Sequence, residues 1–246
     1  MKSIERHKLK ENELARTVSQ AREVLDTRKR TIVLALAALV VALAAFGGYT
    51  WWREARESRA NEALAAAIAL YDAPVVPIAA PAPGSPAPLP QPGTFSTERE
   101  KLQAALPKFR EAADRHPNST AGLVARFHEA GILASLGQYA EAEQGFQEVV
   151  NKAGSGIYGR MGRLGLANAQ VAQDKFDNAI AVYTELSRDT SSPVPLDGIL
   201  MQLGRAYARA GRKEEAARTF DRIVQEFPQS PFLTDARREL ETARKS

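Results

Sequence analysis

The fold is decided by residues 200–228, which read LMQLGRAYARAGRKEEAARTFDRIVQEFP. Apolar and small residues recur in this stretch at spacings of three and four, which is the spacing of one face of an α-helix. Gly211 interrupts the pattern and Pro228 ends it, so the stretch predicts two helices joined by a tight turn. Ala216 and Phe220 share one face of the second helix, where a small residue lets a neighbouring helix approach the ring.

The same face recurs along the chain with a period of 37 residues. In each copy an alanine is followed four positions later by an aromatic residue and seven positions later by a small or aliphatic residue. The copies are Ala105–Phe109–Ala112, Ala142–Phe146–Val149, Ala179–Tyr183–Leu186 and Ala216–Phe220–Ile223. Turns are expected within the pairs at Gly137, Asp174 and Gly211, and between pairs at Pro117, Gly154, Ser191 and Pro228. Such a period indicates stacked helix pairs, each of which buries its apolar face against the next.

The last copy carries the pattern of a known family. It resembles the tetratricopeptide repeat at Leu200, Leu203, Gly204, Tyr207, Gly211, Ala216, Phe220 and Pro228. The resemblance covers residues 98–246 and implies an all-α, right-handed helical solenoid. The tail Phe232–Lys245 has Leu233, Ala236 and Leu240 on one face, so it is expected to form the capping helix that a terminal repeat needs.

The first copy has a second helix, predicted at Glu98–His116, but no adjacent first helix. Residues 64–71 carry Leu64, Ala67, Ile68 and Tyr71 in the order of a first helix. The stretch Ala73–Gly93 separates them and contains eight prolines, which exclude regular helix and sheet. Two interpretations remain open: a first repeat split by a proline-rich insertion, or a stalk followed by a linker.

Residues 31–52 contain no charged side chain. At ~1.5 Å per residue they form about 33 Å of helix, which matches a hydrocarbon core of ~30 Å. Tyr49, Trp51 and Trp52 lie at the far end, where aromatic rings favour the headgroup region. The cationic residues 28–30 precede the run and place the N-terminus in the cytoplasm. The sequence thus predicts one transmembrane helix before the solenoid, rather than a cleaved signal peptide or a buried core helix.

The predicted organisation has five parts. They are a charged helical head (1–30), a transmembrane helix (31–52), a helix after the membrane that could begin repeat 1 (53–72), a proline-rich linker or insertion (73–97), and the repeat domain with its cap (98–246). In the head, Leu14, Val18, Ala21 and Leu25 recur at helical spacing. The head is therefore either a solvated helix or a short coiled coil through which the chain associates with itself.

Composition excludes several classes of function. Cysteine is absent, and the three histidines, His7, His116 and His128, lie in different segments, so no metal, cofactor or catalytic site is expected. The net charge of +4 comes from residues 1–30, with nine Lys or Arg against five Asp or Glu, whereas residues 98–246 hold 21 against 20. A near-neutral repeat domain gives no reason to expect nucleic-acid binding.

The resemblance implies a concave groove lined by the first helices, which suits an extended peptide or a partner helix. Transferred by position, it predicts that the groove presents Phe127, Met161, Leu164, Asn168, Met201, Arg205 and Arg209. Arg205 and Arg209 would suit an acidic end of that partner. The alternative is that Phe127 and Leu164 only pack between helices.

The layout of basic head, single span and external repeats is similar to that of the bacterial ancillary Sec-translocon subunit family. That resemblance implies a non-enzymatic scaffold in the bacterial inner membrane, with periplasmic repeats that contact the translocon and periplasmic chaperones. The pattern Phe227-Pro-x-Ser-Pro231 also resembles the repeat domain of the cell-division coordinator family. A coordinator of cell division or envelope assembly, or a non-catalytic subunit of an enzyme complex, is therefore the alternative.

Overall fold

The computed structural model describes residues 2–77, 91–189 and 194–245, with the backbone alone at positions 2–29, 32, 35 and 36. Within these ranges the chain forms nine helices and no named strand. The helices are α1 (Lys2–Tyr71), α2 (Glu98–Arg115), α3 (Thr120–Ser135), α4 (Tyr139–Ala153), α5 (Ile157–Ala172), α6 (Phe176–Arg188), α7 (Leu196–Arg209), α8 (Lys213–Glu226) and α9 (Leu233–Lys245). The all-α class predicted from the sequence is confirmed for these residues.

The chain divides into two compact units, Met1–Arg56 and Glu57–Ser246. The described residues of the first unit belong to α1 and include the predicted transmembrane helix. Among the described residues, none of the helices has a stretch long and apolar enough to cross a membrane. Three side chains of residues 31–52 lie outside the description, as do those of residues 2–29, on which self-association through the head depends. The transmembrane anchor and the self-association through the head therefore stay predictions.

The 37-residue register of the second unit is confirmed by burial. The alanine of every copy is 0% exposed, the aromatic residue at most 5% and the small or aliphatic residue at most 2%. These residues lie on the second helix of each pair, which is α2, α4, α6 or α8. The repeated face thus forms the line along which successive helices pack.

Three turns, also 37 residues apart, reverse the chain inside the helix pairs. Gly137, Asp174 and Gly211 have φ angles of 83°, 58° and 76°, the left-handed region that glycine enters freely and aspartate tolerates. The turns predicted within the pairs are therefore confirmed. Between pairs, the structure has turns at Pro117, Gly154 and Pro228, and Ser191 lies outside the described residues.

The last turns of α1 pack as the first helix of a pair with α2. Ala67 is 0% exposed in a cluster with Leu102, Ala105 and Phe109. The Tyr71 ring meets the Phe109 ring edge-on, with centroids 6.0 Å apart. Residues 57–71 thus bury their apolar side against α2 within the second unit.

The two ends of the proline-rich stretch are joined by a short parallel bridge. The Val76 amide donates to the Phe95 carbonyl at 2.9 Å, and the Phe95 amide donates to the Pro74 carbonyl at 3.1 Å. Residues 78–90 lie outside the description. Because the flanking residues are hydrogen-bonded to each other, this stretch connects neighbouring points of one helix pair and does not separate two bodies.

A buried carboxylate ties α2 to α3. Glu129 is 3% exposed and accepts hydrogen bonds from Arg110 Nε at 2.8 Å and from an Arg126 guanidinium nitrogen at 2.6 Å. Leu166 and Leu203 occupy the same position 37 and 74 residues later. A charge in a leucine position is tolerated only when it is paired and hydrogen-bonded, and two arginines meet that need here.

His128 lies in an aromatic cluster at this end of the domain. Its ring stacks on Phe109 with centroids 5.2 Å apart, and it lies 5.8 Å from Tyr71 and 5.7 Å from Phe127. Burial lowers the pKa of His128, and the nearby carboxylate of Asp72 opposes that shift. The folded domain therefore favours neutral His128 more strongly than the unfolded chain does.

We expect that the close packing of α7 against α8 requires glycine at position 204. A Cβ atom there would lie 2.5 Å from the buried Phe220 ring, whereas one at Gly131 would meet nothing within 4 Å. Overpacking costs about 1–3 kcal/mol, and alanine in a helix returns about 1 kcal/mol. Gly204→Ala should lower the denaturant midpoint, and Gly131→Ala should leave it unchanged or raise it. Equal midpoints for the two variants would contradict the close helix contact.

We also expect a pH dependence that His128 supplies. A histidine whose pKa is lowered by folding stabilises the fold fully above its ordinary pKa of about 6.5, and this contribution is lost as the pH falls through the folded pKa. The melting temperature of the wild-type chain should fall more between pH 7.5 and 5.5 than that of His128→Phe. An equal fall in both proteins would show that His128 does not contribute.

Candidate functional site

An apolar cavity of about 470 Å³ opens between α3, α4, α5 and the two residues that precede α7. Four of the seven predicted groove residues line it, namely Phe127, Met161, Leu164 and Asn168. Its other lining residues are Phe146, Ile157, Gly165, Val194 and Pro195. The structure thus brings the central part of the predicted groove together at one site.

The sequence of α5 explains how one helix supplies most of this wall. Ile157, Met161, Leu164 and Asn168 follow at spacings of four, three and four, which is one helical face. The opposite face is buried against the neighbouring helices, with Leu166 5% exposed. Ile157 is 54% exposed, so the wall includes an aliphatic side chain that water reaches.

The floor of the cavity is aromatic. The Phe127 ring meets the Phe146 ring edge-on at 5.8 Å and the Tyr158 ring at 5.7 Å. Gly165 lets Phe146 reach this position, because a Cβ atom at residue 165 would lie 2.5 Å from that ring. Phe127 is half-buried and thus both packs between helices and lines the cavity. The two interpretations of Phe127 are therefore compatible.

Asn168 is the polar residue at the edge of this apolar wall. Its side chain is exposed, and its Oδ1 atom accepts a hydrogen bond from the Tyr183 hydroxyl at 2.5 Å. Tyr183 is 1% exposed, and burial raises its pKa, so the phenol stays protonated at neutral pH. The sequence pattern identified Tyr183 only as a core ring, because nothing in it links residue 183 to residue 168.

The prediction that the groove presents Met201 is wrong. Met201 is 0% exposed and lies in the cluster that contains Leu200, Phe220 and Leu240. The reason is that α9 packs at this end of the domain and supplies Leu240 to the same cluster. Met201 is therefore part of the core and is not presented in a groove.

Arg205 and Arg209 are engaged within the domain. Arg205 lies 3.5 Å from carboxylate oxygens of Asp235 and Glu239 on α9. Arg209 pairs with Asp174 at 2.9 Å, and its guanidinium lies 5.0 Å from the centroid of the Phe176 ring. Neither arginine lines the apolar cavity. The expectation that the two cations together address one acidic partner is therefore not supported by this geometry.

A second cleft of about 450 Å³ lies between the last part of α1 and α2. Its lining is mostly alanine and charged residues, and Glu111 pairs there with Lys108 at 3.6 Å and with Arg115 at 2.8 Å. In the described part of the chain, no group of three or more acidic, histidine or cysteine side chains could hold a metal ion. The apolar cavity is thus the better-built candidate for binding.

No curated protein sequence matches the chain. Among solved structures, a putative kinesin light chain with TPR-like repeats from Podosopora anserina is 17% identical, with a TM-score of 0.51 over 60% of this chain and 79% of that one. A tetratricopeptide repeat protein from Parabacteroides merdae is 16% identical, with a TM-score of 0.50 over 60% of this chain and 56% of that one. At such identities these likenesses show the fold alone.

A family model for the tetratricopeptide repeat-like domain matches residues 28–242. The match covers most of the chain and includes the 31–52 run as well as the helix pairs. Proteins with these repeats are typically non-catalytic scaffolds that bind other proteins through a peptide groove. The chain belongs to the tetratricopeptide repeat-like family.

Proposed function

We propose that this protein is a membrane-anchored scaffold that captures an apolar peptide segment or helix of a partner in the cavity beside α5. The observation that carries the proposal is the cavity itself. It has a volume in the range of known binding sites, about 300–1,000 Å³, and combines an apolar wall with a polar side chain, Asn168, at its edge. Large apolar side chains of a partner would supply most of the binding energy there.

The charges around the cavity favour an apolar partner over an acidic one. Among the described residues that line it, none is a lysine, arginine, aspartate or glutamate. The two arginines predicted to attract an acidic end already face carboxylates of α9 and of the turn at Asp174. A partner segment therefore gains little from acidic side chains and most from bulky apolar ones.

The membrane anchor is supported by the composition and exposure of residues 31–52. The run has no charge, and its described large apolar side chains are exposed, for example Val41 at 67% and Phe46 at 68%. A long helix with such side chains in contact with water is unfavourable, and lipid would cover it. The family match begins at residue 28, so the run belongs to the matched region.

The orientation follows from the cations before the run. Residues 28–30 are all basic, whereas Arg53 and Arg56 after the run alternate with Glu54 and Glu57. This asymmetry favours a cytoplasmic N-terminus and so supports a repeat domain outside the cytoplasm, in the periplasm of a cell with two membranes. Together with the likeness to the ancillary Sec-translocon subunit family, it supports a role beside the translocon, with translocon or chaperone subunits as partners.

We expect that the cavity can be mapped by cross-linking. The chain has no cysteine, so a benzophenone maleimide can be placed at one position alone. Ile157→Cys at the cavity should give defined adducts in membranes, and Ala181→Cys, an exposed position on α6, should not. Adding Met161→Asp should remove most of the adduct, because it puts a charge in the apolar wall. Adducts that persist in that variant would place binding elsewhere.

The orientation has its own test. A reporter that is active only outside the cytoplasm, fused after Ser246, should be active. The same fusion to a variant in which residues 28–30 are replaced by glutamate should lose activity, because the preceding positive charge sets the topology. An inactive wild-type fusion at normal expression would contradict the proposed orientation.

A further inference from the structure

One of the four signature rings carries a hydroxyl group. Phe109, Phe146 and Phe220 occupy the same place in the other copies, so the helix contacts themselves do not need a hydroxyl there. Tyr183 is equally buried, and its hydroxyl donates to Asn168 Oδ1 at 2.5 Å. The hydroxyl therefore adds, to a helix contact that the other copies make without it, a hydrogen bond to Asn168 in the cavity wall.

The direction of this hydrogen bond fixes the orientation of the Asn168 amide. Within the described residues, the structure gives the Tyr183 hydroxyl no acceptor besides Asn168. If the amide nitrogen faced the phenol instead, the phenolic hydrogen would be buried without an acceptor, which is unfavourable. The Asn168 oxygen is therefore turned towards Tyr183. The amide NH₂ group takes no part in that hydrogen bond, and because Asn168 is exposed and lines the cavity, both of its hydrogens are available to a ligand there.

We propose that Tyr183 is a positioning residue that makes the cavity select peptide groups by their hydrogen-bond acceptors. An unrestrained asparagine can present either its oxygen or its nitrogen, since the two ends of the amide have nearly the same shape. With the oxygen turned to Tyr183, the amide presents its NH₂ donors to a ligand in preference to its oxygen. The matching ligand is an apolar side chain next to a backbone carbonyl. This inference rests on the proposed function, because it concerns the same cavity.

The methionines make the cavity observable in the full-length chain. The sequence has three, of which Met161 lines the cavity and Met201 is buried in another cluster. The chain with ¹³C-labelled methionine methyl groups, in lipid nanodiscs, is titrated with two probes that share an isobutyl group. N-acetyl-leucine methylamide, the acceptor probe, offers two carbonyl acceptors beside its two N–H groups, and 3-methylbutylammonium, the donor probe, offers donors and no acceptor. The Met161 methyl signal reports binding, and the Met201 signal reports an intact fold.

The wild-type chain should bind the acceptor probe more tightly than the donor probe, with shifts at Met161 and none at Met201. Tyr183→Phe keeps the ring that the other copies have and frees the amide, so it should reduce this preference about three- to tenfold. Tyr207→Phe, which removes a half-buried hydroxyl of α7 away from the cavity, should leave the preference unchanged. Asn168→Asp replaces the donors by acceptors at an exposed position and should reverse the preference.

The possible failures are distinguishable. An unchanged preference in Tyr183→Phe, or a preference that Asn168→Asp does not reverse, would overturn the positioning role and leave the cavity as a binding site. No shift at Met161 with either probe in the wild-type chain would overturn the binding site itself, and the positioning role with it.

Discussion

Each helix pair depends on the approach of an aromatic ring to a residue with little or no side chain on the facing helix. Within the pair α7–α8, Gly204 accommodates Phe220, and between α4 and α5 of neighbouring pairs, Gly165 accommodates Phe146. A Cβ atom at either glycine would lie 2.5 Å from the ring. Dispersion contacts of this kind are individually weak and become large when a ring is completely surrounded. In the last three copies the ring faces a small residue 16 positions earlier, Ala130, Ala167 or Gly204, so this contact sets the spacing within each of these pairs. Gly165 is not part of this repeated contact, because it makes room for Phe146 at the wall of the cavity.

The sequence predicts this framework well, because a period of 37 residues samples the same environment four times. The buried positions and the turns at Gly137, Asp174 and Gly211 all follow from it. The cavity was predicted only in part. Met201 is at the position on α7 that the family pattern assigns to the groove, but it is buried in the cluster that includes Leu240 of α9. The capping helix α9 is not a copy of the repeat, so the 37-residue period does not predict this contact.

Polar contacts were the least predictable part of the domain, because their partners lie on other helices at separations that no local pattern encodes. The arginines of α7 meet carboxylates 30 or more residues away, and Asn168 meets a hydroxyl group 15 residues away. Glu129 could have been noticed from the sequence, since it is a charge in a position where the later copies have leucine. Such a departure from a repeat indicates a nearby partner, here Arg110 and Arg126, and distinguishes the contact between the first and second helix pairs from the later ones.

The bridge between residues 74–76 and Phe95 determines where this chain can accept additional sequence. Since the two ends of the proline-rich stretch are fixed beside each other, the chain between them can change in length or composition without moving residues 57–71 relative to α2. Closing a longer loop is inexpensive, at about 0.6 kcal/mol for each doubling of its length. This part of the first helix pair is thus a natural insertion point, at which new sequence, or an engineered tag or small domain, can be accommodated while the repeats remain as they are.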